Sequence, residues 1–138
     1  MFGSKKQPAI RSLIGEGTRI EGTLRFKDGL RIDGEVQGDV VADAGGGSIL
    51  VISEKATVTG TVKAAHVIIN GSVIGPVESS QLLELQPKAN IQGDVHYEAL
   101  EMHQGAVIEG GLHKLSGTVV PALETAPSLK LLASGKDK

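Results

Sequence analysis

The sequence predicts an all-β fold, a parallel β-helix (β-solenoid) of about six rungs with flexible termini. Three observations carry that prediction. A short glycine-punctuated unit recurs through the middle of the chain, apolar residues within each unit fall at every second position, and aromatic residues make up only 2% of the whole. Such a unit holds three short strands and cannot bury its own apolar face, so it is stable only when stacked on its neighbours.

The copies are found by aligning their glycines. A weak first copy ends in Thr18-Arg-Ile20-Glu-Gly22-Thr-Leu24. A shortened copy follows, Leu30-Arg-Ile32-Asp-Gly34-Glu-Val36-Gln-Gly38-Asp-Val40, and then a full one, Leu50-Val-Ile52-Ser-Glu-Lys-Ala56-Thr-Val58-Thr-Gly60-Thr-Val62. Val67 to Val77 is again short by two residues, whereas Leu83 to Val95 and Leu100 to Leu112 return to full length. The leading apolar residues at 30, 50, 67, 83 and 100 give steps of 20, 17, 16 and 17, and the long step holds Ala42-Asp-Ala-Gly-Gly-Gly-Ser48, an inserted loop. Alternation of apolar and polar residues is the period of a strand with one buried face. The glycine of the recurring I-x-G-x-V unit marks a corner, where a side chain would collide with the next rung.

Composition fits a core of Val, Ile, Leu and Ala, since apolar residues are 40% of the chain and only Phe2, Phe26 and Tyr97 are aromatic. With no cysteine there is neither a disulfide framework nor a thiolate metal site, and a reducing cytoplasm is the expected compartment. The start lacks the apolar run of a secretory signal. Net charge is −2 with mixed signs, which leaves no basic footprint for nucleic acid, and the scarcity of aromatics removes a base-stacking platform. Gly45-Gly-Gly47-Ser48 lacks the lysine of a phosphate loop, so no cofactor is expected.

Function follows from the two ends of such a stack. Each presents unpaired backbone groups over aliphatic side chains, and neither the polar stretch 1–11 nor the Pro- and Ala-rich stretch after Val120 reads as a cap. End-to-end stacking into a polymer is the consequence, with Ile14, Ile20 and Leu24 expected at one end and Leu112, Leu115 and Val119 at the other. On the outside, one column runs Arg25, Val41, Lys63, Glu78, His96, His113. It predicts a Lys63–Glu78 pair and two adjacent histidines, read as surface residues and not as a metal site. Ile49, Val51, Ile68 and Leu82 are apolar where polar residues belong, which marks lateral or partner contact, or cover by a tail or the 42–48 loop. Met1 and Phe2 with Lys5 and Lys6 form an apolar tip beside positive charge, a membrane-surface anchor for anionic lipid.

The glycine-punctuated repeat, the Met1-Phe2-Gly-Ser-Lys5-Lys6 leader and the Pro-containing tail together resemble the bactofilins, polymer-forming proteins of the bacterial cytoskeleton. The resemblance implies a right-handed parallel β-helix of triangular section and nucleotide-independent filaments. It further implies peripheral attachment at the inner face of the cytoplasmic membrane, and a scaffold role in cell shape or cell-wall organisation beside cell-wall or polarity proteins. The expected division is a membrane-binding leader over 1–11, a polymerisation domain over 12–118 and a flexible tail over 119–138. The competing readings are a monomeric β-helix that binds a partner, and a left-handed β-helix enzyme of the acyltransferase kind. The latter needs strict six-residue spacing, which the shortened copies break; no enzyme activity is expected.

Overall fold

A computed structural model of the chain describes residues 10–43 and 47–115. Met1, Phe2, Lys5, Lys6 and Val119 lie outside the described residues, as do most of the proposed leader, part of the inserted loop and all of the proposed tail. Among the described residues every regular element is a strand, and every strand pairing is parallel.

The strands form six rungs. The first holds β1 (Ser12–Ile14), β2 (Arg19–Glu21) and β3 (Leu24–Phe26), and the second β4 (Gly29–Ile32), β5 (Glu35–Gln37) and β6 (Val40–Ala42). The third has β7 (Ile49–Ile52), β8 (Thr57–Thr59) and the start of β9 (Val62–Ile69). From there each third-face strand runs on round the corner into the next rung: β9 is followed by β10 (Ser72–Ile74), β11 (Val77–Leu85), β12 (Asn90–Gln92), β13 (Val95–Met102), β14 (Val107–Glu109) and β15 (Leu112–Lys114).

Equivalent strands stack into three faces. On the first, Leu30, Leu50, Val67, Leu83 and Leu100 are successive register partners. On the second the column is Ile20, Val36, Val58, Val73, Ile91, Ile108. On the third it is Leu24, Val40, Val62, Val77, Val95, Leu112. These residues point inward, and those of the middle rungs are almost completely buried, giving one aliphatic core along the axis.

The corners explain the two repeat lengths. In the second and fourth rungs the first corner is the short Asp33-Gly34 or Asn70-Gly71, and a Cβ on either glycine would strike carbonyl oxygens of the rung before it. In the third, fifth and sixth rungs two more residues bring an inward alanine, Ala56, Ala89 or Ala106. The second corner is a glycine ladder, Gly22, Gly38, Gly60, Gly75, Gly93 and Gly110, all with positive φ. From Gly38 onward, a Cβ on each member would meet the carbonyl of the glycine one rung earlier. At the third corner β11 carries Ser80 and Gln81 where β9 has Ala65 alone, a local register shift. The buried Ser79 hydroxyl there donates to the Ala65 carbonyl at 2.9 Å, and the Ser48 hydroxyl accepts from the Ala65 N–H at 3.0 Å, so both buried hydroxyls of this corner are paired.

Candidate functional site

The two ends of the stack are sections through its core. Leu85 and Val95 on the fifth rung are 0% exposed, whereas Met102 and Leu112, one rung on in the same columns, are 45% and 48% exposed. Leu100, Ala106 and Ile108 of the last rung are half-buried. At the opposite end Ile14, Ile20 and Leu24 are half-buried, above Ile32, Val36 and Val40, which are inaccessible. Among the described residues β1, β2 and β3 each pair on one side alone, as do β14, β15 and the last residues of β13. Both ends therefore show a ladder edge over apolar side chains, the arrangement that accepts another strand.

Sequence reasoning placed Ile14, Ile20, Leu24 and Leu112 on these end rungs, where the structure also has them. Leu115 follows β15, with 42% exposure and its N–H donated to the Tyr97 carbonyl at 2.6 Å. The sequence did not single out Leu100, Met102 and Ile108, which share the inward columns with Leu112. Their signal was the last copy itself, where they align with Leu83, Leu85 and Ile91.

Ile49, Val51, Ile68 and Leu82 are half-buried on the outside of the first face. Val51 and Ile68 are register partners, and Ile49 and Leu82 flank His66 in the adjoining column. Val51 and Ile68 line a shallow groove of about 470 Å³ whose margins include Glu16, Arg31, Asp33 and Lys55. Its volume falls within the range of small-molecule pockets, about 300 to 1,000 Å³, but the groove is shallow.

The family described as polymer-forming cytoskeletal, the bactofilins, matches residues 12–113, a span that opens on β1 and closes within β15. The chain belongs to the bactofilin family. It is thus a polymer-forming cytoskeletal protein of a structural family. No curated protein and no solved structure matches it. Among the described residues of this bactofilin no helix is long and apolar enough to cross a membrane.

The outer column of the third face has the predicted order, Arg25, Val41, Lys63, Glu78, His96, His113, each beside the next. Lys63 Nζ is 3.9 Å from Glu78 Oε2, an exposed pair worth about 0.2 to 1 kcal/mol. His96 and His113 stack with ring centroids 4.7 Å apart, and Asp94 Oδ2 is 4.0 Å from His113 Nε2. Along the first corner the bactofilin carries cross-rung pairs, Glu16 with Lys55 and Glu54 with Lys88, both at 3.6 Å. Asp33 sits at that corner with Arg31 Nε 2.9 Å from its carboxylate. A hydrogen bond from the Ser53 side chain, and after it the one from Arg31, holds the Asp33 carboxyl below the ordinary carboxylate range.

A third charged group brings together Glu84 of β11, Glu101 of β13 and His103 in the turn after it. His103 Nε2 lies 3.6 Å from Glu84 Oε2 and 3.4 Å from Glu101 Oε2. The sequence reading assigned no metal site and did not combine these three residues.

Proposed function

We propose that this bactofilin polymerises end to end, without nucleotide, by abutting its terminal rungs, and that the filament serves as a membrane-attached scaffold in cell shape or cell-wall organisation. The supporting observation is the change along the inward columns, from inaccessible in the middle rungs to 45% and 48% exposed at Met102 and Leu112. A neighbour that continues the ladder covers Leu100, Met102, Ile108 and Leu112 at one end and Ile14, Ile20 and Leu24 at the other. Full burial of such a side chain is worth about 1.5 to 3 kcal/mol, so completing a half-finished burial yields roughly 1 kcal/mol per residue, to which ladder hydrogen bonds add. Leu115 borders the same end.

Pelleting and negative-stain microscopy test this with Ile20→Arg and Leu112→Arg. Each places an unpaired charge in an apolar contact, at a cost of several kcal/mol. Both variants keep the wild-type circular dichroism spectrum and fail to pellet; long filaments from either would rule out its end as the contact.

Attachment to an anionic membrane at its cytoplasmic face is assigned to the leader, through Met1, Phe2, Lys5 and Lys6. Each basic residue near such a surface contributes about 1 kcal/mol, so one leader binds weakly and a filament of many leaders binds by avidity. Co-sedimentation with anionic vesicles is lost on deleting residues 1–7 and weakened by Leu112→Arg. Equal binding by all three proteins would refute the anchor. We assign Ile49, Val51, Ile68 and Leu82 to lateral contact between filaments, because end-on stacking repeats this strip along the polymer and multiplies a weak contact. Val51→Lys with Ile68→Lys leaves single filaments intact and abolishes bundles; bundling that survives would remove the strip from the interface.

A further inference from the structure

Glu84 and Glu101 are register partners on adjacent rungs, so two like charges face one another on the outside of the first face. Such a pair is destabilising unless a positive group lies between them. The turn that begins at His103 is pinned to the fifth rung, its backbone N–H donating to the Leu85 carbonyl at 2.8 Å, and this sets the imidazole between the two carboxylates.

His103 Nε2 stands 3.4 and 3.6 Å from the two carboxylate oxygens, farther than the separation in a good hydrogen bond. Ligand atoms about 2.0 to 2.2 Å from a tetrahedral zinc ion lie roughly 3.3 to 3.6 Å from one another, which is the spacing of His103 Nε2 from each carboxylate oxygen. All three donor atoms fall within 4.8 Å of each other, so closing the set takes only a small side-chain movement. Gln86 supplies an outer contact, its Nε2 donating to Glu84 Oε2 at 3.3 Å, and such partners hold ligands in place.

We propose that Glu84, Glu101 and His103 form a binding site for a divalent transition-metal ion, for which Zn²⁺ is the fitting probe. Two carboxylates and a neutral imidazole carry the −2 charge that balances such an ion, and the nitrogen donor selects it over Mg²⁺ and Ca²⁺, which prefer oxygen. The ion joins the fifth rung to the sixth at the rim of one open end. Three protein ligands leave one coordination position for water or for a donor from another molecule. The site is built within one protomer, so it does not depend on the mode of assembly.

The test is calorimetric titration of ZnCl₂ into the full chain, freed of metal with a chelator and carrying no histidine tag. It is repeated for His103→Ala, Glu84→Gln, Glu101→Gln and a His96→Ala/His113→Ala double variant. The expected result is one ion per chain, affinity lowered about tenfold or more in each of the first three variants and unchanged in the double variant. Co²⁺ provides a second readout, a tetrahedral ligand-field spectrum that His103→Ala removes. No binding by the wild type, binding untouched by His103→Ala, or binding lost with His96 and His113 instead would each overturn the assignment. The conservative glutamine variants keep the test decisive if His103→Ala misfolds.

Discussion

Replacing Gly60 by alanine tests whether the glycine ladder sets the spacing between rungs. Gly60 has φ of 150°, and a Cβ there would collide with the carbonyl of Gly38 on the rung before and lie 3.0 Å from Asp39 Oδ1. The obstructing carbonyl is backbone, and the chain on either side of it is tied to the next rung by the Gly38 N–H donating to the Thr59 carbonyl at 2.9 Å and the Val40 N–H donating to the Thr61 carbonyl at 2.8 Å, so it has little room to swing aside. Two terms add: about 1 to 3 kcal/mol for a non-glycine residue in a sparsely populated backbone conformation, and about 1 to 3 kcal/mol for overpacking. Gly60→Ala should therefore cost roughly 2 to 6 kcal/mol, a large share of the roughly 5 to 15 kcal/mol typical of a domain. Gly15 is the internal control, since a Cβ there meets nothing within 4 Å and its φ is not positive. Gly15→Ala should be neutral or stabilising by about 0.4 to 1 kcal/mol through the unfolded state. Urea denaturation in the Leu112→Arg background separates domain stability from assembly. Equal midpoints for the two alanine variants would refute the reasoning.

Wild-type protein pellets equally with and without ATP, GTP or a chelator, and a strict nucleotide requirement would contradict ladder continuation as the driving contact. Ile91→Ala, at an inaccessible site of the second face, costs about 2 to 5 kcal/mol in denaturant unfolding and lowers assembly only as far as it unfolds the chain. Asp33 has a depressed carboxyl pKa in the folded chain, so its contribution is present above about pH 4, the ordinary aspartate value, and is lost as pH falls through the lower folded value. Wild type and Asp33→Asn should thus differ in midpoint at pH 6 and converge near pH 2; a constant difference across that range would remove Asp33 from the pH response.

The architecture was legible because each rung repeats the same physical problem. Stacking forces equivalent positions into columns, and the order Arg25, Val41, Lys63, Glu78, His96, His113 could be written down from glycine alignment alone. The corner role of Gly38 and Gly60 was legible for the same reason, since a residue type recurring at one place in every copy answers a constraint shared by every rung. The terminal surface was harder. Leu115 and Val119 are apolar residues of the stretch that follows the last copy, but exposure at an end is decided by the inward columns of the final rung, which reach Leu100, Met102 and Ile108 as well. The Glu84–Glu101–His103 group was missed because it combines two strand positions with a turn. The alignment does place Glu84 beside Glu101, but only the fold of the turn after Met102 shows that His103 reaches back between them.

The proposed filament requires protomers to stack along the β-helix axis. Six rungs at about 4.8 Å make each protomer roughly 29 Å long. Cryo-electron microscopy of the filaments, with diffraction from an oriented sample, measures this directly. End-on stacking gives a reflection at about 4.8 Å along the filament axis and an axial rise of about 29 Å per protomer, or about 58 Å per pair if the ends alternate. The same reflection, at about 4.8 Å, lying perpendicular to the filament axis would mean that protomers associate side by side, and would contradict the end-on assignment of Ile20, Met102 and Leu112.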